Sequence, residues 1–415
     1  MSSDTATTNR TQTARFQRKR ELILDAAAAE INENGALGMT LADVAAMVGL
    51  NTTSVTYYFK RKEVLAAACY DRSLDRIEAI VESAERAPDP RSRVRAYVDE
   101  SFAQRARIRD GDEPPFTVLS DLRAMEGPER EALADRYRGL LRRIRGFFGA
   151  ADNERAKALL TARTHVLVET IFWLPGWLQH YATDEFPRLS ARMFELFDTG
   201  LAPRGAAWAP VSTLLAEDAS PEGPELARRN FLKAATRLIN ERGYRGASVE
   251  RIASELNVTK GSFYHHLDAK DELVVNCFAH SFAIQTQAQR AADRADGSQW
   301  ERLCSAMAMI LDVQFSERGP LLRTTALQAL PSRVRGAMVE RSDHVARRFA
   351  GMMIDGISEG SVRAVDPLVA SQTLVAMLNA AYELHNWADA LAPADAIGLY
   401  ASTLAFGLFD DRMLA

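Results

Sequence analysis

Residues 259–266 read TKGSFYHH, and 208 positions earlier residues 51–58 read NTTSVTYY. Each octapeptide follows a short amphipathic stretch and stands four residues before a lysine, Lys62 or Lys270. Around them the register holds without a gap. Leu24 meets Leu232, Ala26 and Ala27 meet Ala234 and Ala235, and the block Ile31, Asn32, Glu33, Gly35, Gly38 meets Ile239, Asn240, Glu241, Gly243, Gly246. Ala45/Ala253, Ser54/Ser262, Leu65/Leu273, Cys69/Cys277 and Ser73/Ser281 continue the series. A period of half the chain marks duplication of a whole subunit rather than a solenoid. Past residue 80 the identities fade, but helical periodicity persists, and each half ends in a helical pair that contains a tryptophan, Trp177 or Trp387.

Strand signals are sparse and helical ones abundant, so the expected fold class is all-α. The stretch RKRELILDAAAAEINENG places Leu22, Ala26 and Ala29 on one face and stops at Gly35, which can take positive φ. Thr40 then precedes LADVAAMVGL, and Ser248 precedes VERIASELNV; each hydroxyl is placed to cap a new helix. Gly49 or Asn257 allows a tight turn, after which NTTSVTYY or TKGSFYHH begins another short helix. Two short helices so joined and packed on a longer one make a helix-turn-helix. The last of the three is rich in Thr, Ser, Tyr, His and Lys, a poor composition for packing that suits phosphates and base edges in a major groove. Val55 with Phe59, and Phe263 with Leu267, lie four apart and supply its anchors.

Copy two, GASVERIASELNVTKGSFYHHLDAKDELV, resembles the DNA-binding domain of TetR/AcrR-type transcriptional regulators, whose pattern ends in a Lys-Gly-Ser/Thr-aromatic-Tyr-x-x-Phe run followed by Lys and Leu. Here those are Lys260, Gly261, Ser262, Phe263, Tyr264, Leu267, Lys270 and Leu273. Copy one fits at Thr40, Gly49, Phe59, Lys62, Glu63 and Leu65. It departs from the pattern with Thr53 at the glycine position and Thr56 at the tyrosine position, with Tyr57 one place later; in copy two Leu267 replaces the usual Phe.

The resemblance implies two TetR-like halves, each a three-helix helix-turn-helix domain followed by a larger helical ligand-binding and dimerisation domain. The expected layout is a disordered tail (1–14), DNA-binding domain one (15–65), helical domain one (66–203), a linker (204–224), DNA-binding domain two (225–273) and helical domain two (274–415). By carry-over, Thr40, Thr52, Thr53, Thr56, Tyr57 and Lys62 in copy one, and Ser248, Lys260, Gly261, Ser262, Tyr264, His265 and Lys270 in copy two, face double-stranded operator DNA. Arg15, Arg18, Lys19 and Arg20 form a basic arm that could reach phosphate or minor groove. The last helices, about 158–180 with 187–201 and 367–388 with 394–409, would form a four-helix dimer interface. Phe172, Trp173, Trp177 and Tyr181 around a Pro-Gly break, and Tyr382, His385 and Trp387, are candidates to line a pocket for an aromatic or acyl effector; core packing is their competing role. The methionine cluster Met307, Met309, Met352 and Met353 reads as adaptable packing.

The 415 residues, 47% of them hydrophobic, suffice for several domains, and a net charge of −4 means that any nucleic-acid surface must be local. Cys69, Cys277 and Cys304 form neither a disulfide framework nor a metal motif. His165, Glu169 and His180 lack ligand spacing for a metal. No cofactor, metal or enzymatic motif is expected, and no apolar run approaches the roughly 18 residues that span a bilayer. The expected setting is the cytoplasm. The function expected is an effector-responsive regulator, in the first instance a repressor, acting as an intramolecular pseudo-dimer on an imperfect palindrome, with a homodimer of chains as the competing assembly. Two other readings stay open: only the second copy reads DNA and the first serves dimerisation, or the chain is a helical sensor or adaptor without DNA binding.

Overall fold

The computed structural model describes residues 4–215, 224–247, 249–255 and 270–414. Among them there is no strand. The first half runs α1 (Asp4–Gly38), α2 (Leu41–Met47), α3 (Thr52–Tyr58), α4 (Lys62–Glu85), α5 (Pro90–Asp110), a 3-10 turn (Leu119–Ala124), α6 (Pro128–Gly146), α7 (Glu154–Trp177) and α8 (Phe186–Thr199). The second half answers with α9 (Pro224–Gly246), α10 (Val249–Glu255), α11 (Lys270–Asp293), α12 (Gln299–Phe315), a 3-10 turn (Thr324–Ala329), α13 (Ser332–Glu359), α14 (Pro367–Ala380), α15 (His385–Ala388) and α16 (Pro393–Ala405).

Local chemistry explains most boundaries. Asp89, Asn153, Ser298 and Asp366 cap α5, α7, α12 and α14 through side-chain oxygens that accept from first-turn amides. Pro at the first turn of α5, α6, α8, α14 and α16 fixes φ where no amide is needed. Two expectations need correction. Residues 1–14 were expected as a disordered tail, yet α1 starts at Asp4: no Gly or Pro interrupts residues 4–34, so the helix extends outward. The first tryptophan helix runs as expected through its Pro-Gly pair: α7 continues past Pro175 to Trp177, losing one amide within its last turn, and a 3-10 turn (Leu178–His180) carries it on. The linker (204–224), whose wealth of Ala, Pro, Gly and Ser predicts a flexible coil, is docked along its described part. Trp300 Nε1 donates to Ala207 O (2.8 Å), the Val211 amide donates to Ser305 Oγ (2.8 Å), and Leu215 is buried, so apolar and hydrogen-bonded contacts hold it on α12.

The halves share one hydrophobic core. α7 packs on α14 and α16, and α8 packs on the same two helices, so the last-helix pairs form a four-helix layer within a single chain. At its centre the chain ends of α8 and α16 cross. The Leu201 amide donates to Leu404 O (3.0 Å), the Ala202 amide to Ala405 O (2.8 Å), and the Leu408 amide returns to Phe197 O (2.6 Å). Gly200 (φ 68°) and Gly407 (φ 92°) make the crossing possible. A Cβ on Gly200 would lie 2.5 Å from Ala405 O, and one on Gly407 would lie 2.8 Å from Phe197 O and Asp198 O.

Gly200→Val therefore adds both a backbone clash and a left-handed strain. Chemical unfolding should show a loss of roughly 2–4 kcal/mol; a variant as stable as the parent would mean that the crossing is not a structural requirement.

Candidate nucleic-acid interface and ligand cavity

The first reading unit is held by its caps and two anchors. Thr40 Oγ1 accepts from the Asp43 amide (3.2 Å) and Asn51 Oδ1 accepts from the Ser54 amide (2.7 Å), which start α2 and α3. Val55 is fully buried and Phe59 nearly so, as their four-residue spacing implied, and this turns the remaining side chains of α3 outward. Thr52 and Thr53 are exposed, Thr56 is half-buried with its hydroxyl donating to Thr53 O (2.9 Å), and Tyr57 is 75% exposed. Tyr57 therefore keeps most of its ring and its hydroxyl toward solvent. Phe16 of α1 stacks near Tyr58 (4.7 Å between ring centres) and meets Tyr57 edge-on (6.1 Å), while the Arg20 guanidinium lies 5.4 Å from the Phe59 ring, so the basic segment of α1 lies beside α3. Arg15 and Arg18 are exposed. Lys62 is half-buried, and its amine donates to Leu37 O (2.9 Å) at the end of α1. In the second unit Ser248, Lys260, Gly261, Ser262, Tyr264 and His265 lie outside the described residues; Lys270 opens α11.

The repeat reappears as matched hydrogen bonds. Asn32 of α1 donates to Phe116 O (2.8 Å) and accepts from the Val118 amide (2.9 Å); Asn240 of α9 donates to Leu321 O (2.9 Å) and accepts from the Arg323 amide (3.2 Å). Ser73 and Ser281 accept the Thr117 and Leu322 amides (3.0 and 2.9 Å). Each asparagine thus ties the first helix of a reading unit to the loop before the 3-10 turn of its own half. The cysteines match too. Cys69 and Cys277 sit buried with Sγ 3.7 Å from Leu24 O and Leu232 O, and burial pushes both thiols up to about 12, which keeps them protonated packing groups.

Those loops border a cavity of about 900 Å³, within the range of roughly 300–1,000 Å³ typical of small-molecule sites. Its walls are α4, α5, α6, α7 and residues 115–123 of the first half, closed by the Thr324–Ala329 turn and α13 of the second. Of the seven aromatic candidates, only Phe172 and Trp173 line it. They do so with Glu169, Gly176 and His180 along one face of α7 and its continuation, at helical spacing. Trp177 falls on the next face, buried against Phe102 (6.3 Å) and Tyr181 (5.7 Å). Tyr382 and His385 stack on each other (4.7 Å), and Trp387 packs on Phe315 and Tyr400 at the junction of the halves. None of these five lines the cavity; their rings meet other side chains instead. Arg105, Phe116, Tyr137 and Arg323 line the cavity and were not singled out in the sequence; only Arg105, a charge on the buried face of α5, carried a local signal.

A charge network forms the cavity's wall at the junction. Arg323 pairs with Glu169 across the halves (3.2 Å) and with Glu383 in its own half, and Arg123 reaches across to Glu383 (2.5 Å) and to Asn240 O (2.8 Å). Glu169 and Arg323 are nearly fully buried. Burial would push the Glu383 carboxyl up, but Arg123 and Arg323 outweigh it and hold it well below the ordinary carboxylate value of 4.5. His165, Glu169 and Glu383 bring ligand atoms within 4.8 Å of one another. Both carboxylates are already matched by guanidinium groups, so the cluster reads as an ion-pair network rather than a cation site. His180, the other histidine weighed in the sequence, pairs with Asp343 (3.0 Å). No helix of the described residues is long and apolar enough to cross a membrane.

Comparison with known proteins matches these features twice. The family described as "Bacterial regulatory proteins, tetR family" matches residues 23–69 and again 231–277, and "Tetracyclin repressor-like, C-terminal domain" matches residues 296–387. The chain is similar to the HTH-type transcriptional repressor DhaR of Mycobacterium sp. (strain GP1), 25% identical over 139 residues, covering 33% of this chain and 70% of that protein. It also resembles the transposon Tn10 TetC protein of Escherichia coli, 31% identical over 85 residues, covering 20% of this chain and 42% of that one. Among solved structures, AibR in complex with isovaleryl coenzyme A and operator DNA aligns at 20% identity with a TM-score of 0.36, covering 43% of this chain and 96% of AibR. FadR from Bacillus subtilis in complex with stearoyl-CoA aligns at 19% and 0.34, covering 42% and 96%.

Because its folded pKa is lowered, Glu383 contributes stability that is fully present above about pH 4.5 and is withdrawn as pH falls through the folded value. Unfolding midpoints followed from about pH 6 down to pH 3 should fall less steeply in Glu383→Gln than in the parent. Parallel curves would assign the acid sensitivity to other carboxylates.

Proposed function

Since the chain belongs to the TetR family of bacterial transcriptional regulators and carries the family's DNA-binding unit twice, we propose that it acts as a covalent pseudo-dimer, a single chain that places two unlike reading heads on one operator. At the level of the family it is a DNA-binding regulator, and the matched families are regulators rather than enzymes. The observation that carries the finer reading is the four-helix layer of α7, α8, α14 and α16 within one chain. Two-fold assemblies read palindromes because identical recognition helices stand about 34–36 Å apart, one turn of DNA. Here one head presents NTTSVTYY and the other TKGSFYHH, so the operator should be an imperfect palindrome with chemically different arms. Joining the heads makes the second contact intramolecular and raises its effective concentration.

The DNA-facing residues proposed are those carried over above: Thr40, Thr52, Thr53, Thr56, Tyr57 and Lys62 on the first head, and Ser248, Lys260, Gly261, Ser262, Tyr264, His265 and Lys270 on the second. Control by a small effector is read from the cavity. Residues 115–123 wall it, Asn32 ties them to α1, and Arg123 ties them to α9 of the other half. An occupant that prefers one position of this segment shifts both heads, and repression is relieved by that difference in affinity.

Selection of bound duplexes from a random DNA pool should return two unlike arms about one turn apart, with one chain per duplex. A perfect palindrome bound by two chains would sink the pseudo-dimer. A second reading, in which only the second head reads DNA, is favoured by the engagement of Lys62 at Leu37 O and by Thr53 in the glycine position. The variants separate the two. In the pseudo-dimer, Tyr264→Ala and the pair Thr53→Ala with Tyr57→Ala each weaken operator binding on the order of tenfold or more. If the pair leaves affinity unchanged while Tyr264→Ala abolishes it, the first half is a dimerisation partner only.

A further inference from the structure

The cavity holds an arginine that the protein itself does not neutralise. Arg105 of α5 lines it, half-buried, with its guanidinium carbon 4.8 Å from the centre of the Phe116 ring. Arg76 lies 4.2 Å from the same ring but is satisfied by Glu113 (2.6 Å) and Pro114 O (2.8 Å). Among the described residues Arg105 makes no ion pair and no hydrogen bond. The cavity's acids are committed or outlying: Glu169 pairs with Arg323, Asp343 pairs with His180 and accepts from Gln372, and Glu340 is exposed on α13. Burial, with the charge of Arg76 adding to it, draws the Arg105 guanidinium down to about 10, still cationic near neutrality. A partly desolvated cation that meets a ring but no anion or hydrogen-bond acceptor is a cost that folding does not ordinarily leave standing.

The second half shows what the position looks like without that demand. Arg105 stands sixteen residues past the α5 cap (105 − 89 = 16), and Gln314 stands sixteen past the α12 cap (314 − 298 = 16). Gln314 is buried and fully used. Its amide donates to Leu378 O (2.7 Å) and Asn379 O (3.1 Å) and accepts from the Leu321 amide (3.0 Å). At this position one half holds a satisfied neutral amide, and the other holds a cation that lines an open volume. Leu74, Ile77, Ile108, Phe172, Trp173 and Leu327 supply apolar wall around it.

We propose that the cavity of the first half takes an anionic amphiphile, a carboxylate or phosphate head on an apolar body, with Arg105 as the anchor of the head and one such molecule bound per chain. This rests on the effector reading above and names its ligand class and stoichiometry. The apolar body replaces water against the aromatic and aliphatic wall, and the head supplies the charge that Arg105 lacks.

The test uses the full chain and three probes of one chain length, dodecanoate, dodecyl phosphate and dodecanol, titrated calorimetrically below micelle formation. The expected result is one molecule of an anionic probe per chain, at least about tenfold tighter than dodecanol; which of the two anions is tighter identifies the head as carboxylate or phosphate. Arg105→Gln, which copies the second half, should abolish the preference for charge, and Arg105→Lys should restore part of it. Equal binding of dodecanol, a charge preference that survives in a folded Arg105→Gln, two molecules per chain, or no binding of either anion overturns the proposal. Operator affinity is read separately. Arg105-dependent binding that leaves DNA affinity unchanged upholds this site and removes the effector reading.

Discussion

Arg323 stands between Glu169 of the first half and Glu383 of the second, and the geometry of the molecule turns on that contact. It joins the halves, forms part of the cavity wall, and through its own amide is held by Asn240 of the second reading unit. Buried ion pairs contribute little net stability against an apolar replacement, because desolvation offsets the attraction. What they do impose is registry: removing one partner leaves a charge stranded in a medium where that is expensive. The network therefore favours one arrangement of the halves over sliding alternatives that an apolar surface alone would tolerate.

Around that contact the two halves are alike where they hold the helix-turn-helix units and unlike where they line the cavity. Asn32 and Asn240, Ser73 and Ser281, and Cys69 and Cys277 make the same bonds in both halves. These are the positions at which a buried loop amide or carbonyl needs a side-chain partner, so the chemistry admits little change. Arg105 and Gln314, by contrast, occupy equivalent places with different consequences. The cavity also draws walls from both halves, which makes the interior of one half sensitive to how the other is seated.

The cross-half bond from Arg123 to Asn240 O adds a second asymmetry. Through it the segment that walls the cavity touches the first helix of the opposite reading unit as well as its own. The wall of the cavity is thus bonded to the first helices of both units, by different residues in each.

Much of this was legible in the amino-acid sequence. The gap-free register announced the duplication, apolar spacing announced helices, and Thr40 capped α2 as its place before LADVAAM implied, because capping and periodicity are local and one turn of helix suffices to decide them. The burial of Val55 and Phe59, four apart, followed for the same reason. The docked linker, the helical start of α1 and the neutral fate of five of the seven aromatic candidates did not, since each depends on what packs beside it. The site is the furthest from local. Arg105, Glu169, Arg323 and Glu383 are separated by up to 278 positions (383 − 105) and share no spacing. Only the tertiary fold decides which charges meet a partner and which is left facing a cavity, because desolvation and pairing are properties of the surroundings and not of the residue.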